Sequence, residues 1–293
     1  MQFSDLLKVS RPGLWLVFIW LYLWPTGGSK EMLKTVNFWL GLLYCTLPLN
    51  LLVYGMNDMV DEDVDTDNSR KGNFVYGAKL PRRLLRELPK WIAGINISWL
   101  CLIAFQHPSL GLYLVTWLAC AIAVNFAYNN KPFQFSRKCP FEVPVMILGH
   151  LLIPLLSCEL NRLPLPSWES WLFHCLLLSR SHLWLEFEDI VVDRRTNKRT
   201  IAVVIGENAS LALIIILTIL ESLVGFFLLQ CAVLGCFSLF GVVVFGSAAK
   251  QVTAKTRRNT SQVESKSSPF VSVSQSVVGA ILMIYLWHYR VLV

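Results

Sequence analysis

Apolar runs of membrane-crossing length recur along the whole chain, and no other feature of the sequence restricts its fold so sharply. A crossing helix needs roughly 20 apolar residues for ~30 Å of hydrocarbon. Only a helix or a closed barrel crosses with every backbone group satisfied. Read between turn signals, the runs fall at about 12–26, 37–57, 90–106, 110–128, 143–160, 169–188, 207–229, 231–249 and 270–290. The stretch from Ala209 to Phe245 is too long for one crossing and divides near Gln230 into a hairpin. The pattern predicts an all-α, multi-pass membrane bundle of about nine helices. No connecting segment is long enough to fold by itself, so 1–293 reads as a single transmembrane domain.

Composition agrees. A chain of 293 residues that is 55% hydrophobic, with a mean hydropathy of +0.53, is too apolar for an ordinary soluble domain. A net charge of +7 is compatible with nucleic-acid binding, but the basic residues are spread over loops between spans. Of the 26, 21 fall in the N-terminal segment and in the loops after spans two, four, six and eight. That asymmetry places the N-terminus and those loops in the cytosol and points to lipid, not nucleic acid, as the partner of the charge. The run from Leu14 to Trp24 lacks a small-residue cleavage site and leads into Pro25-Thr26-Gly27-Gly28, so it reads as a retained first helix. The eight cysteines form no CxxC pair and read as small buried packing residues.

Span two ends in Asn57-Asp58-Met59-Val60-Asp61-Glu62-Asp63-Val64-Asp65. On a continuing helix Asn57, Asp61 and Asp65 share one face with Asp58 beside them, and Asn50 and Tyr54 extend the stripe into the apolar part. Carboxylates at a membrane boundary with no cation of their own need a metal, a basic ligand or water. Span six ends in a second stripe: His182, Glu186, Asp189 and Asp193 step by four, three and four. Both spans run the same way, so both stripes reach the same boundary. Oxygen donors of this kind suit Mg²⁺, which keeps part of its shell for water and phosphate.

Cations follow each stripe: Arg70 and Lys71 the first, Arg194, Arg195, Lys198 and Arg199 the second. Metals plus adjacent cations suit a diphosphate, and the apolar spans below suit a hydrocarbon tail. The chemistry that needs both is ionisation of an allylic diphosphate in a water-poor site. Asn125 and Tyr128 share a face of span four near the same boundary and are further diphosphate candidates.

On these residues the chain resembles the UbiA superfamily of intramembrane prenyltransferases, over nearly its whole length. The resemblance rests on the nine-span plan, the Arg11-Pro12 entry to span one, Asn57-Asp58-x-x-Asp61-x-x-x-Asp65 and Asp189-x-x-x-Asp193. It implies helices around a central cavity, a cytosolic cap from loops two–three and six–seven, and two Mg²⁺ ions bridging the diphosphate. The metal set is then Asn57, Asp58, Asp61, Asp65, Asp189 and Asp193, with Asp61, Asp65, Asp189 and Asp193 catalytic. The chain departs from the family pattern after each of two spans. No Arg-Pro follows the first motif, and Ser136 stands where many members carry a Lys, leaving Lys131, Arg137 or Lys138 as substitutes.

The expected reaction is Mg²⁺-dependent transfer of a prenyl group from an isoprenoid diphosphate to an aromatic or lipid acceptor. A cyclase of the same superfamily, needing no acceptor, is the alternative. A transporter fits less well, because the acidic residues sit at a boundary and not at the midplane. Within span six, Arg180 is expected to pair with a polar group or a Glu of the bundle, and His182 to be a hydrogen-bonded structural histidine.

Overall fold

The computed structural model describes residues 1–60, 71–258 and 269–293, with side chains for 1–60, 71–247 and 279–293. Among these the chain is helical throughout, with two isolated β-bridges and no sheet. In chain order the helices are α1 (Phe3–Val9), α2 (Trp15–Leu23), α3 (Val36–Tyr44), α4 (Leu47–Val60), α5 (Arg82–Gln106) and α6 (Gly111–Asn129). There follow α7 (Glu142–Asn161), α8 (Trp168–Arg195), α9 (Ile201–Ile205), α10 (Glu207–Leu223), α11 (Ala232–Arg258) and α12 (Pro269–His288). Among the described residues six stretches are long and apolar enough to cross a membrane: Phe3–Thr26, Val36–Val60, Arg82–Gln106, Pro108–Asn129, Glu142–Asn161 and Glu207–Leu228. The sixth expected span lies in α8, whose 28 residues include Arg180, Glu186, Glu188 and Asp189 and so exceed the charge of a simple apolar crossing. The eighth and ninth fall on shorter apolar stretches, Ala232–Ser247 and Gly279–His288.

Contacts divide the chain into two compact units. The first comprises 1–134 and 148–165, the second 135–147 and 166–293. In the first unit the second span is not the single helix its apolar run suggests: α3 stops at Tyr44 and α4 starts at Leu47. Pro48 offers no N–H to the Tyr44 carbonyl, which opens the ladder at this point. In hydrocarbon such a break must be satisfied from within. Asn50 Nδ2 donates to the Cys45 and Thr46 carbonyls, both at 2.8 Å. Asn96 of α5 donates to the Pro48 carbonyl at 3.0 Å and accepts from the Tyr44 hydroxyl at 2.8 Å.

In the same unit Tyr22 ties α2 to α7. It is fully buried, its hydroxyl accepts from Asn161 Nδ2 at 3.0 Å, and its backbone carbonyl accepts from the Ser157 hydroxyl at 2.6 Å. Gly41 of α3 lies flat against this ring. A methyl there would overlap the hydroxyl and sit 2.6 Å from the ring carbon that bears it. Overpacking of this kind costs about 1–3 kcal/mol. Gly41→Ala is therefore expected to lower the thermal melting point, and Tyr22→Leu in the same chain to restore part of the loss. An unchanged melting point for Gly41→Ala alone would refute this packing.

In the second unit α10 and α11 form the expected hairpin. A π-helical turn over Val224–Leu228 and a left-handed Gln230 (φ 49°) reverse the chain before α11 begins at Ala232. The two arms approach closely at Gly225 and Gly235, where the Ser222 hydroxyl donates to the Gly235 carbonyl at 2.8 Å. Three of the eight cysteines, Cys101, Cys120 and Cys236, are exposed on helix surfaces and not buried as the sequence suggested; all eight are free thiols. On a lipid-facing surface a thiol behaves as a small apolar group, so hydropathy alone does not separate the two positions.

Candidate active site

The first acidic motif begins in the last turn of α4. Asn57 is half-buried and Asp58 is 3% exposed. Asp58 is not a carboxylate in want of a cation: Arg11 Nη2 and Lys71 Nζ both lie 2.7 Å from its Oδ1. The expectation that this stripe had no cation of its own is thus corrected at Asp58. Arg11 is 47 positions away in sequence and Lys71 is 13 away, beyond any helical i±4 pairing. Lys71, expected on the diphosphate, is engaged here. Asp58 Oδ2 is buried and makes no hydrogen bond among the described residues. Asp61, Asp65 and Arg70 lie outside the described residues.

Arg11 is held from three sides. Its backbone is left-handed (φ 50°), and its guanidinium lies over the Tyr54 ring, 4.5 Å from the centroid. Tyr54 is one turn before Asp58 on α4, so the stacking and the ion pair share one stripe. The third side is the loop after Lys71, in which Gly72 N–H and Asn73 N–H donate to the Gly77 carbonyl at 2.7 and 3.1 Å. Gly77 has φ 96°, and a side chain there would begin 3.0 Å from Arg11 Nε and 3.5 Å from Asp58 Oδ2. Glycine meets both demands, the positive φ and the close approach. The two cations share Oδ1 and leave Oδ2 as the open oxygen of the group.

Asn125 and Tyr128 are on α6, both half-buried, and Lys131 follows on the exposed loop. Asn129 Nδ2 donates to Asn125 Oδ1 at 2.7 Å, so the Asn125 carbonyl is already used within the helix end.

The second motif closes α8. Asp189 is half-buried, Asp193 is 6% exposed, and Lys198 Nζ stands 3.8 Å from Asp193 Oδ1. The Lys198 N–H also donates to the Asp193 carbonyl at 2.9 Å, fixing the turn that brings the side chain back. Arg194 is exposed. Glu186, on the same stripe, is put to another use. Its Oε1 is 3.2 Å from His182 Nε2, and its Oε2 accepts from Ala202 N–H in the first turn of α9. Glu142, which the sequence reading passed over, accepts from Ile201 N–H at 2.5 Å. Two carboxylates thus cap the start of α9, where free N–H groups and the helix dipole favour negative charge. A glutamate at a span edge gives no sequence signal for capping a helix 59 residues on.

Loops 135–141 and 196–200 run together beside this cap: Cys139 N–H donates to the Arg199 carbonyl at 2.7 Å and Arg199 N–H to the Arg137 carbonyl at 3.2 Å. Burial pushes the Cys139 thiol pKa up. The nearby Glu142 and Glu186 carboxylates push it the same way, against the Arg199 guanidinium. Deeper in α8, Arg180 Nε pairs with Glu221 Oε1 of α10 at 2.5 Å and its guanidinium lies 4.9 Å from the Phe245 ring centroid. The ion pair is the one expected of an arginine inside the bundle.

Among the described residues no three His, Cys, Asp or Glu side chains gather as a metal centre. Mg²⁺ does not require one. It is commonly held through one or two carboxylates, with substrate phosphates and water completing the shell. The described donors are hard carboxylate oxygens, and the buried, unpartnered Asp58 Oδ2 is an acceptor suited to such an ion.

Lycopene elongase/hydratase of Corynebacterium glutamicum is 29% identical over 192 residues, covering 63% of this chain. The match spans 64% of that relative, a little under two thirds of its length. Lycopene elongase/hydratase of Haloarcula japonica is 25% identical over 211 residues, covering 69% of this chain and 67% of its own. In fold, the chain resembles a UbiA homologue from Archaeoglobus fulgidus bound to GPP and Mg²⁺, with a TM-score of 0.66 at 15% identity, covering 98% of this chain and 99% of that one. The same homologue bound to DMAPP and Mg²⁺ gives a TM-score of 0.65 with the same identity and coverage. The sequence pattern of the UbiA prenyltransferase family matches residues 12–273, which include both acidic motifs and every helix from α2 to α11, and the chain belongs to that family.

Proposed function

We propose that the protein is an integral membrane prenyltransferase that ionises an allylic isoprenoid diphosphate and joins the prenyl group to an apolar polyene acceptor. The observation that carries this reading is the family match across 12–273 with both aspartate motifs inside it. The choice of acceptor follows from the relatives, which are named for elongation and hydration of lycopene. The active-site end of the bundle faces the cytosol on the distribution of basic residues.

Asn57, Asp58, Asp61, Asp65, Asp189 and Asp193 would hold Mg²⁺, which supplies charge neutralisation of the leaving diphosphate. Arg70, Arg194 and Lys198, with Asn125, Tyr128 and Lys131, bind its oxygens, while Lys71 is held on Asp58. Arg11 keeps Asp58 in place through an ion pair and a stacked ring. Heterolysis of the C1–O bond leaves the electron pair on pyrophosphate. The π pair of the acceptor's terminal double bond then forms the new C–C bond. The resulting tertiary cation is discharged by loss of a proton to a pyrophosphate oxygen or by addition of water. Low water content in the apolar interior keeps the first cation from being trapped early.

The test is turnover by the purified protein with Mg²⁺ and geranyl, dimethylallyl or farnesyl diphosphate, with and without lycopene. Product appearing only with lycopene, and abolished by EDTA, is expected. A cyclic terpene formed from the diphosphate alone would replace this reading with that of a cyclase.

A further inference from the structure

Away from the acidic motifs, the first unit carries an open groove of about 990 Å³ between the α3–α4 break and α5. That volume is at the upper end of what small-molecule sites occupy. One wall is Leu43, Thr46, Leu47 and Pro48, where the broken second span leaves room. The other is α5, on which Lys90, Gly94, Ser98 and Leu102 line the groove at steps of four. From Lys90 to Leu102 is ~18 Å along a helix, close to the depth of one leaflet of a ~30 Å hydrocarbon layer.

The ends of this path differ in character. Toward the α5 N-terminus the groove is bordered by Lys90 and Trp91, with Arg86 one turn further on and Arg82 and Arg83 beyond it, all exposed. In the middle the groove is open: a Cβ at Gly94 would meet no heavy atom within 4 Å. Beyond Ser98 the lining is Trp99 and Leu102, and Trp99 Nε1 already donates to the Leu40 carbonyl at 2.9 Å, so the ring presents an apolar face. Cations at a membrane boundary, an interfacial tryptophan and a leaflet-deep apolar trough match the parts of one molecule.

We propose that this groove is a specific site for one anionic phospholipid, its phosphate held by Arg86 and Lys90 and one acyl chain lying over Gly94 and Ser98. On the orientation proposed above, the lipid belongs to the cytosolic leaflet. Charge complementarity selects the head group, and the missing side chain at Gly94 makes room for the tail. Basic pockets between crossing helices recognise anionic head groups by the same chemistry. A bound lipid wedged between the break and α5 would brace the segment that ends at Asp58.

The test uses the full chain, delipidated in detergent and titrated with phosphatidylglycerol or phosphatidylcholine, with bound lipids counted by native mass spectrometry. One phosphatidylglycerol is expected to be retained, with roughly thirtyfold preference over phosphatidylcholine, as two boundary cations near the phosphate imply. Gly94→Leu should remove the retained lipid. It adds a side chain into open space and replaces glycine within a helix, so its fold is safe. Arg86→Glu with Lys90→Glu should abolish the preference. Equal retention of the two lipids, or a Gly94→Leu protein that keeps phosphatidylglycerol as the parent does, would overturn the proposal. Stoichiometric displacement of the lipid by geranyl diphosphate would overturn it too and make the groove a substrate path. None of these outcomes depends on prenyl transfer being the reaction.

Discussion

Asp189→Asn is expected to reduce turnover of a prenyl diphosphate by at least ~10²-fold, the scale on which losing one preorganised electrostatic contact to a developing charge is felt. The substitution keeps the shape, removes the negative charge and turns one acceptor oxygen into a donor NH₂. Asp189 is half-buried in a helix of 28 residues, between Glu186 and Ile190, whose contacts hold α9 and the apolar core of the second unit. Its neighbours fix the backbone, so the melting point should stay within the small range of an ordinary surface change. The two measurements together isolate the charge. Activity should recover in part at higher Mg²⁺, because a weakened site is refilled by mass action. Normal turnover in a folded Asp189→Asn protein would remove the second motif from the metal site. An inactive protein that also melts early would show instead that Asp189 is structural.

The distinction between charge for chemistry and charge for structure is also where the sequence was hardest to read. The class of fold was legible because hydrocarbon allows so few solutions: apolar runs, turn signals and the asymmetry of basic residues all follow from solvation. The α10–α11 hairpin was legible for the same reason, since a run from Ala209 to Phe245 overruns one crossing. The break between α3 and α4 was not foreseen. Its cause, Pro48, was in plain view, but the carbonyls around the break are met by Asn50 and by Asn96 nearly fifty residues on. Within the acidic stripes the periodicity placed Glu186 beside Asp189 and Asp193, yet Glu186 turns to cap α9. Helical spacing states which residues share a face and is silent on what meets that face. The partners of Asp58 show the same limit, because Arg11 arrives from before the first span and Lys71 from beyond the motif.

Arg180 tests how such a partner matters in the interior. Its guanidinium pairs with Glu221, which is 1% exposed, and rests on Phe245. Removing one member of a buried pair leaves the other charged without compensation, a loss of about 3–5 kcal/mol. Arg180→Met alone is therefore expected to cost most of that amount in unfolding free energy, measured by denaturant titration in mixed micelles. Glu221→Leu alone should be of similar size, since it strands the guanidinium. Arg180→Met with Glu221→Leu should recover most of the loss, because apolar replacements of a buried pair are often neutral or better. The recovery is the informative quantity: the three variants form a cycle whose coupling term belongs to the pair alone. If Arg180→Met by itself unfolds like the parent, the ion pair carries no stability. If the double variant is as stable as the parent but no longer turns over substrate, Arg180 acts on the substrate and Glu221 serves to position it.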